Sequence, residues 1–436
     1  MGCSALSLRG IGYVPGVAQG HLQRGLPTQT DRIAVITPAD IAALVQRPAG
    51  LVIVDGALFS HRLIRVLGWG VPTVIVAGGD LDALADGTPI LIDGHDGTVT
   101  TRLDSARQRQ IPRIPAVGQP IETADGVQVE LRASVRSVAA AHKAIEMGAA
   151  AIGLVRTEFF APDAGAVPDA DFYLQVFSAL CKAAGPLPVT FRLLDIAADK
   201  VPGWLHTTPA MLGSLGLQGV RLFGRSPVAA VVRAQLEAIA ELFSTGYDVR
   251  ILLPYLVRHE ELRYWSGRVR ERLPEAVAVG AMVETPAGAM DIDNWFDAAD
   301  FVAVGCNDLM QCLFAADRDR PELGAYLDPY APLLYRFFND LAVRAGAHLG
   351  DIQLCGVLPH LQGVLPILLG LGFRNFSLDP GQIPYLAESV RRCDTAAMRA
   401  QAQAICGLRD SVEVLDILGL PQAGYRTFMC PDRGPV

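Results

Sequence analysis

Three arginines, Arg156, Arg192 and Arg318, and two carboxylates, Glu284 and Asp308, fall just after short apolar runs, in company with Glu158, Asp195, Lys200, Asn307 and Cys355. Glu284 and Asp308 are hard oxygen ligands of the kind Mg2+ prefers, since that ion takes one or two carboxylates and fills its shell with water and substrate; they could equally form an acid pair. Guanidinium groups supply planar, bidentate donors for phosphate and carboxylate oxygens. Together these residue types suit a small anion with several oxygens. Cys355 reads either as core packing or, beside a metal and cations, as a proton donor whose thiol pKa starts near ~8.5. Taken singly, each charge also reads as a solvated loop residue or a structural ion pair.

The elements that must position these residues repeat after about residue 120: a short apolar strand, a polar turn, then a longer helical stretch. The spacing predicts strands at Val127–Ser134, Ala151–Arg156, Pro188–Leu194, Arg250–Tyr255, Val277–Val283, Asp300–Gly305, Ile352–Val357 and Arg374–Leu378. Strands alternating with helices imply right-handed crossovers and a parallel sheet, and this number closes an eight-stranded β/α (TIM) barrel. An open doubly wound sheet is the alternative, disfavoured because no GxGxxG turn follows the first strand. In a barrel the active site gathers at the C-terminal strand ends, where the residues above fall.

Residues 1–105 read as a separate α/β domain, with strands at Leu51–Val54, Thr73–Val76 and Pro89–Ile92 and a helix over His61–Leu67 that Ser60 is placed to cap. The polar, proline-bearing stretch 106–120 reads as a linker, 121–425 as the barrel, and 426–436 as a loose tail. The chain of 436 residues is 51% hydrophobic and 19% charged with a net charge of −8, which fits about two globular domains and argues against a broadly nucleic-acid-binding or anionic-membrane-binding surface. Its eight cysteines form no CxxC pair, which disfavours structural zinc or a disulfide framework and fits a reducing cytoplasm. Leu6 stands where a myristoylation signal wants Ser or Thr, and no apolar run reaches the roughly 20 residues that span a bilayer. His95, His142, His206, His259 and His348 read as surface residues and the four tryptophans as packing; His360, shortly after Cys355, falls where it could approach a substrate.

Several segments carry a family resemblance. Ile152-Gly-Leu-Val-Arg-Thr-Glu-Phe-Phe160, Phe191-Arg-Leu-Leu-Asp-Ile-Ala-Ala-Asp-Lys200, Gly280-Ala-Met-Val-Glu-Thr-Pro286, Gly305-Cys-Asn-Asp-Leu-Met-Gln311, Ala316-Asp-Arg318, Leu354-Cys-Gly356, Phe376-Ser-Leu378 and Gln382-Ile-Pro384 occur in the order seen in the phosphoenolpyruvate-utilising enzymes: enzyme I of the sugar phosphotransferase system, phosphoenolpyruvate synthase and pyruvate phosphate dikinase. Gly10-Ile-Gly-Tyr-Val-Pro-Gly16, Ser60-His61 and Gly70-Val-Pro72 resemble that family's swivelling phosphohistidine domain. The resemblance implies phosphoenolpyruvate bound with Mg2+ in the barrel mouth, Glu284 and Asp308 as metal ligands, and Arg156 and Arg192 as phosphate clamps. It further implies Asn307 and Arg318 as substrate contacts, Cys355 as proton donor to pyruvate enolate, His61 as phosphoryl acceptor, and a homodimer. A histidine at a helix start can also share its phosphate with free backbone N–H groups.

The sequence departs from the family at definite places. The polar run before the histidine is here Gly56-Ala-Leu-Phe-Ser-His61, with Phe59 in it; Leu67 replaces an arginine six residues on; Gln218, in Leu215-Gly-Leu-Gln-Gly-Val-Arg221, replaces a phosphate-pocket arginine; and Val357 replaces a glutamate. The length leaves room for neither an ATP-grasp domain nor a carrier-docking helical insert, so the expectation is a short member with an unidentified protein or small-molecule acceptor. Three readings follow: a Mg2+-dependent phosphotransferase working through His61, a barrel enzyme of phosphoenolpyruvate or pyruvate-enolate chemistry without the histidine relay, or a non-catalytic phosphoenolpyruvate-binding subunit.

Overall fold

The computed structural model describes residues 6–103, 120–162, 165–197, 201–205 and 215–420. Lys200, His206, nearly all of the expected linker and the expected tail lie outside the described residues.

The N-terminal domain is an eight-stranded mixed sheet of β1 (Ser7–Arg9), β2 (Ile11–Val14), β3 (Val17–Arg24), β4 (Arg32–Ile36), β5 (Gly50–Val54), β6 (Thr73–Val76), β7 (Pro89–Asp93) and β8 (Thr98–Thr100), in the order β1-β8-β7-β3-β4-β5-β6-β2. Strands β3 to β6 run parallel and the flanking pairs are antiparallel. The sequence reading missed five of these strands. β3 shows why: only Ala18 and Leu22 in it are buried, too few for a clear alternating signal. No four-helix insert lies between Gly16 and Leu51, which hold β3, β4 and a short 3₁₀ turn at Asp40–Ala43.

Helix α1 (His61–Leu67) crosses from β5 to β6 where expected, and the Ser60 hydroxyl accepts the Leu63 N–H at 3.4 Å. Its buried face is Leu63, Val66 and Leu67, on the order of 1.5–3 kcal/mol of burial each. Gly56 is needed beneath it, because a side chain there would put its first carbon 2.9 Å from Leu63 Cδ2.

After the short strand β9 (Ile121–Glu122) come β10 (Gln128–Val135), β11 (Ile152–Arg156), β12 (Val189–Arg192), β13 (Val249–Leu256), β14 (Val279–Val283), β15 (Val302–Gly305), β16 (Ile352–Cys355) and β17 (Asn375–Leu378). All eight pair in parallel, and β10 bonds both β11 and β17, so the barrel is closed. Strands covered on both faces read as unbroken apolar runs; Val279–Val283 is buried at every position. Leu154, Leu252, Met282, Ala303 and Cys355 fill the interior, which is a packed core and not a pore.

The two domains meet at the barrel mouth. A side chain at Gly324, in the barrel's Pro321–Tyr326 turn, would put its first carbon 2.8 Å from Ala57 Cβ, so only glycine lets that turn close on the segment before α1. Arg136, just past β10, donates from Nη2 to the Arg65 carbonyl at 3.3 Å. The contact sets the start of α1 over the strand ends. No helix among the described residues is long and apolar enough to cross a membrane.

Candidate functional site

The C-terminal strand ends bring the candidate side chains together. Arg156 closes β11 and Arg192 closes β12; Glu284 follows β14; Asn307 and Asp308 sit in the first turn of the helix Cys306–Phe314 after β15; Cys355 closes β16. Arg318 reaches the same mouth from the loop after that helix and is buried, as are Arg192, Glu284 and Asn307.

Arg192 is the hub. Its Nη2 lies 2.5 Å from Glu158 Oε1 and 2.9 Å from Asp195 Oδ2, and its Nη1 lies 4.0 Å from Glu284 Oε1. Burial works against its charge, and Asp195, Glu158 and Glu284 more than offset it. Arg156 is less well compensated: burial and the charge of Arg192 push its pKa down against the opposing pull of Glu158, and among the described residues its Nε has no hydrogen-bond partner.

Glu284 is pushed up to about 8 by burial and by the charges of Asp308 and Asp195, against the pull of Arg192. Its Oε2 accepts the Tyr255 N–H at 2.9 Å, and Tyr255 holds a left-handed φ of +50° to make that bond. Gly305 makes the approach possible, since a side chain there would put its first carbon 2.6 Å from Glu284 Cγ. Asn307 Oδ1 accepts the Val357 N–H at 3.0 Å, which turns its amide donor end toward other partners. Gln218 is buried and hydrogen-bonds Tyr255, so it supports the strained turn without supplying a cation.

Cys355 is buried, and burial pushes its thiol up to about 12, so it stays protonated at neutral pH. Among the described residues, no group of three or more His, Cys, Asp or Glu forms a ready metal cage. The carboxylates of Glu284 and Asp308 repel one another, and a cation between them would relieve that repulsion.

His61 enters this mouth from the other domain. Its Nδ1 lies 2.8 Å from Asp319 Oδ2, its backbone N–H donates to Asp319 Oδ1 at 3.0 Å, and Arg318 Nη2 lies 2.7 Å from its Nε2. Arg318 also holds Asp308, with Nη2 3.0 Å from Oδ1. A carboxylate only accepts and a guanidinium only donates, so both contacts demand one neutral tautomer: hydrogen on Nδ1, lone pair on Nε2. Of the backbone N–H groups at the start of α1, that of His61 is already held by Asp319. Sequence reading missed Asp319 and Tyr255. Asp319 had one signal, a carboxylate directly after Ala316-Asp-Arg318.

Residues 114–395 match the family described as "PEP-utilising enzyme, PEP-binding domain", and residues 33–97 match "PEP-utilising enzyme, mobile domain", PEP being phosphoenolpyruvate. The chain is 29% identical over 405 residues to the phosphoenolpyruvate-protein phosphotransferase of Haloferax volcanii, covering 89% of this chain and 71% of that one. It is 31% identical over 401 residues to a multiphosphoryl transfer protein of Xanthomonas campestris pv. campestris, and 27% identical over 408 residues to multiphosphoryl transfer protein 1 of Escherichia coli (strain K12). Those alignments cover 87% and 88% of this chain but 48% of either relative, so the chain spans about half their length. A barrel carrying this polar mouth, a second domain that sets a histidine over it, and a family match across most of both place the chain in the phosphoenolpyruvate-utilising enzyme family.

Proposed function

We propose that the chain is a phosphotransferase in which His61 takes the phosphoryl group of phosphoenolpyruvate held at the barrel mouth and hands it to a protein acceptor. The observation that carries this reading is the presentation of His61: Nδ1 is tied to Asp319, and Nε2, bearing the lone pair, faces Arg318 2.7 Å away. The name of the Haloferax relative, a phosphoenolpyruvate-protein phosphotransferase, supports the acceptor class.

In this reading Arg318 shifts from Nε2 onto the phosphoryl oxygens when substrate enters, which frees the lone pair as it anchors the group to be transferred. The bond between phosphorus and the enol oxygen breaks, a bond from phosphorus to Nε2 forms, and the electron pair stays on pyruvate enolate. Cys355, kept protonated by burial, gives its proton to the enolate methylene carbon and is reprotonated from solvent. Arg156 contacts the substrate's phosphoryl oxygens, and Arg192, locked by Glu158 and Asp195, contributes fixed positive charge. Asn307 offers its amide donor to the carboxylate.

Glu284 and Asp308 are the residues that would hold Mg2+. Their fit rests on two hard, mutually repelling carboxylates at the mouth, with the remaining ligand positions left to water and substrate. Bound there, Mg2+ supplies charge neutralisation for the phosphoryl and enolate oxygens. Incubation with phosphate-labelled phosphoenolpyruvate and Mg2+ should leave acid-labile, base-stable label on the wild type and none on His61→Ala. A wild type that stays unlabelled yet releases pyruvate would favour a barrel enzyme without the relay.

A further inference from the structure

A proton that Cys355 gives up must be replaced in every cycle, and the thiol has little access to solvent of its own. It is 2% exposed and packs in a cluster with Leu154, Leu252, Met282 and Ala303, apolar side chains without an exchangeable proton. A route lies sideways along the sheet. Ser377 is aligned with Cys355 in the parallel pair β16–β17 and with Arg132 in the parallel pair β10–β17, so the three residues stand in one row across neighbouring strands.

The Ser377 side chain is wholly buried, and its Oγ has no hydrogen-bond partner among the described residues. Keeping an unbonded hydroxyl in such a place costs stability, which a residue present only for packing need not incur. Its bond is made in the other state of the thiol. Burial raises the Cys355 pKa, and the Ser377 hydroxyl, followed by the charges of Arg132 and Arg192, pulls against it by favouring the thiolate. Ser377 also lines the cavity of about 410 Å3 at the barrel mouth, together with Gly356 and Val357 of the barrel and Leu67 of the N-terminal domain, so its hydroxyl joins the buried sulfur to space that water can enter.

The polar groups next to it are committed elsewhere. Arg132 donates to Glu130 Oε2 from Nε at 2.9 Å and from Nη2 at 2.7 Å, and to Gln353 Oε1 from Nη1 at 3.2 Å, while Gln353 Nε2 donates to the Gly153 carbonyl at 2.9 Å. A guanidinium so held supplies fixed positive charge but no proton. Gly153 leaves the hydroxyl its room, since a side chain there would put its first carbon 2.8 Å from Ser377 Oγ.

We propose that Ser377 is a further catalytic residue, the relay that returns a proton to Cys355 from water in the cavity. The proposal rests on the reading above that Cys355 protonates the enolate. Once the S–H proton has passed to carbon, a thiolate remains beside the Ser377 hydroxyl. When pyruvate leaves and water enters, the Ser377 O–H proton moves to sulfur as a proton from water forms a new O–H bond at Oγ. Thiol and hydroxyl are both restored, the hydroxide left behind departs to bulk solvent, and nothing is oxidised or reduced.

Ser377→Ala removes the relay and leaves the donor. In D2O with Mg2+ it should slow exchange of pyruvate methyl protons by about tenfold or more, read by proton NMR, and leave single-turnover labelling of His61 within about threefold of wild type, because the first enolate meets a thiol already protonated. Its thermal midpoint should equal or exceed that of wild type, since the hydroxyl removed was unbonded. Wild-type exchange in Ser377→Ala with loss of exchange in Cys355→Ala overturns the relay and keeps Cys355 as donor; wild-type exchange in both variants overturns donor and relay together. A second measurement needs no variant: tritium release from methyl-tritiated pyruvate by wild type in mixtures of H2O and D2O. Two protons moving together, on sulfur and on oxygen, should bow the plot of rate against deuterium fraction, and a straight line overturns the relay.

Discussion

Asp319 grips His61 at two points, the ring Nδ1 at 2.8 Å and the backbone N–H at 3.0 Å, across 258 positions of sequence and across the domain boundary. One carboxylate thereby caps the start of α1, fixes the imidazole tautomer and seats the mobile domain on the barrel. Burial alone would raise the Asp319 pKa; the hydrogen bonds from His61 and the charge of Arg318 outweigh it and hold the group below the usual carboxylate range.

Replacing that carboxylate should therefore impair transfer without emptying the substrate site. Asp319→Asn is expected to slow labelling of His61 by on the order of 10–100-fold, by analogy with the range typical of losing the partner that orients a metal-bound histidine. Phosphoenolpyruvate binding, measured by calorimetry, should change little. A labelling rate within about threefold of wild type would show that the contact does not orient the histidine.

Glu284 predicts a pH dependence of stability. Its folded pKa, raised to about 8 by burial and by Asp308 and Asp195, lies above its unfolded value near 4.5. Such a group favours the folded state below the unfolded pKa, and that contribution is lost as pH rises through about 8. Metal-free wild type should thus lose stability relative to Glu284→Gln between about pH 4.5 and 8. Mg2+ should restore it increasingly over the same window, by about 2.7 kcal/mol at a concentration 100-fold above Kd. Thermal unfolding at several pH values, with and without Mg2+, reads this out; parallel curves for the two proteins would refute it.

The barrel was legible because most of its strands are buried on both faces and read as apolar runs, with a polar residue at the end that meets solvent and substrate; β10 instead alternates buried and partly exposed residues. Arg156, Arg192, Glu284 and Cys355 each announce themselves that way. Other parts of the site left no such trace. Tyr255 carries nothing in its residue type to signal a left-handed backbone, and Asp319 acts on a residue 258 positions away. The N-terminal sheet was visible only in part: its central strands Gly50–Val54 and Thr73–Val76 are almost wholly apolar, whereas β1 and β3 are edged with polar residues. Leu67 and Val357 stood out as departures far apart in sequence, and only the docked fold shows that they line the same cavity.

Gly305 gives a packing test of the mouth. Gly305→Ala would place a methyl carbon 2.6 Å from Glu284 Cγ and 2.7 Å from Oε1, so the carboxylate must move. Overpacking of this kind costs about 1–3 kcal/mol, seen as a lower denaturation midpoint at unchanged slope. The Mg2+ stabilisation described above should disappear with it. Retention of both would mean that the Glu284 position is not fixed by this contact.

Cys355→Ala separates phosphoryl transfer from protonation. Its buried thiol is the proton source in the proposed cycle, so the variant should lose exchange of pyruvate methyl protons with deuterium by about 10²-fold or more, read by proton NMR. Phosphoenolpyruvate affinity should stay near wild type. Exchange at the wild-type rate would assign the proton to another group.

The most direct test of the account is nitrogen and phosphorus NMR on protein labelled with 15N-histidine and treated with phosphoenolpyruvate and Mg2+. The geometry predicts a single phosphohistidine, at His61, with phosphorus bonded to Nε2 and a proton retained on Nδ1. Phosphorus on Nδ1, on another residue, or on no residue while pyruvate accumulates would contradict it.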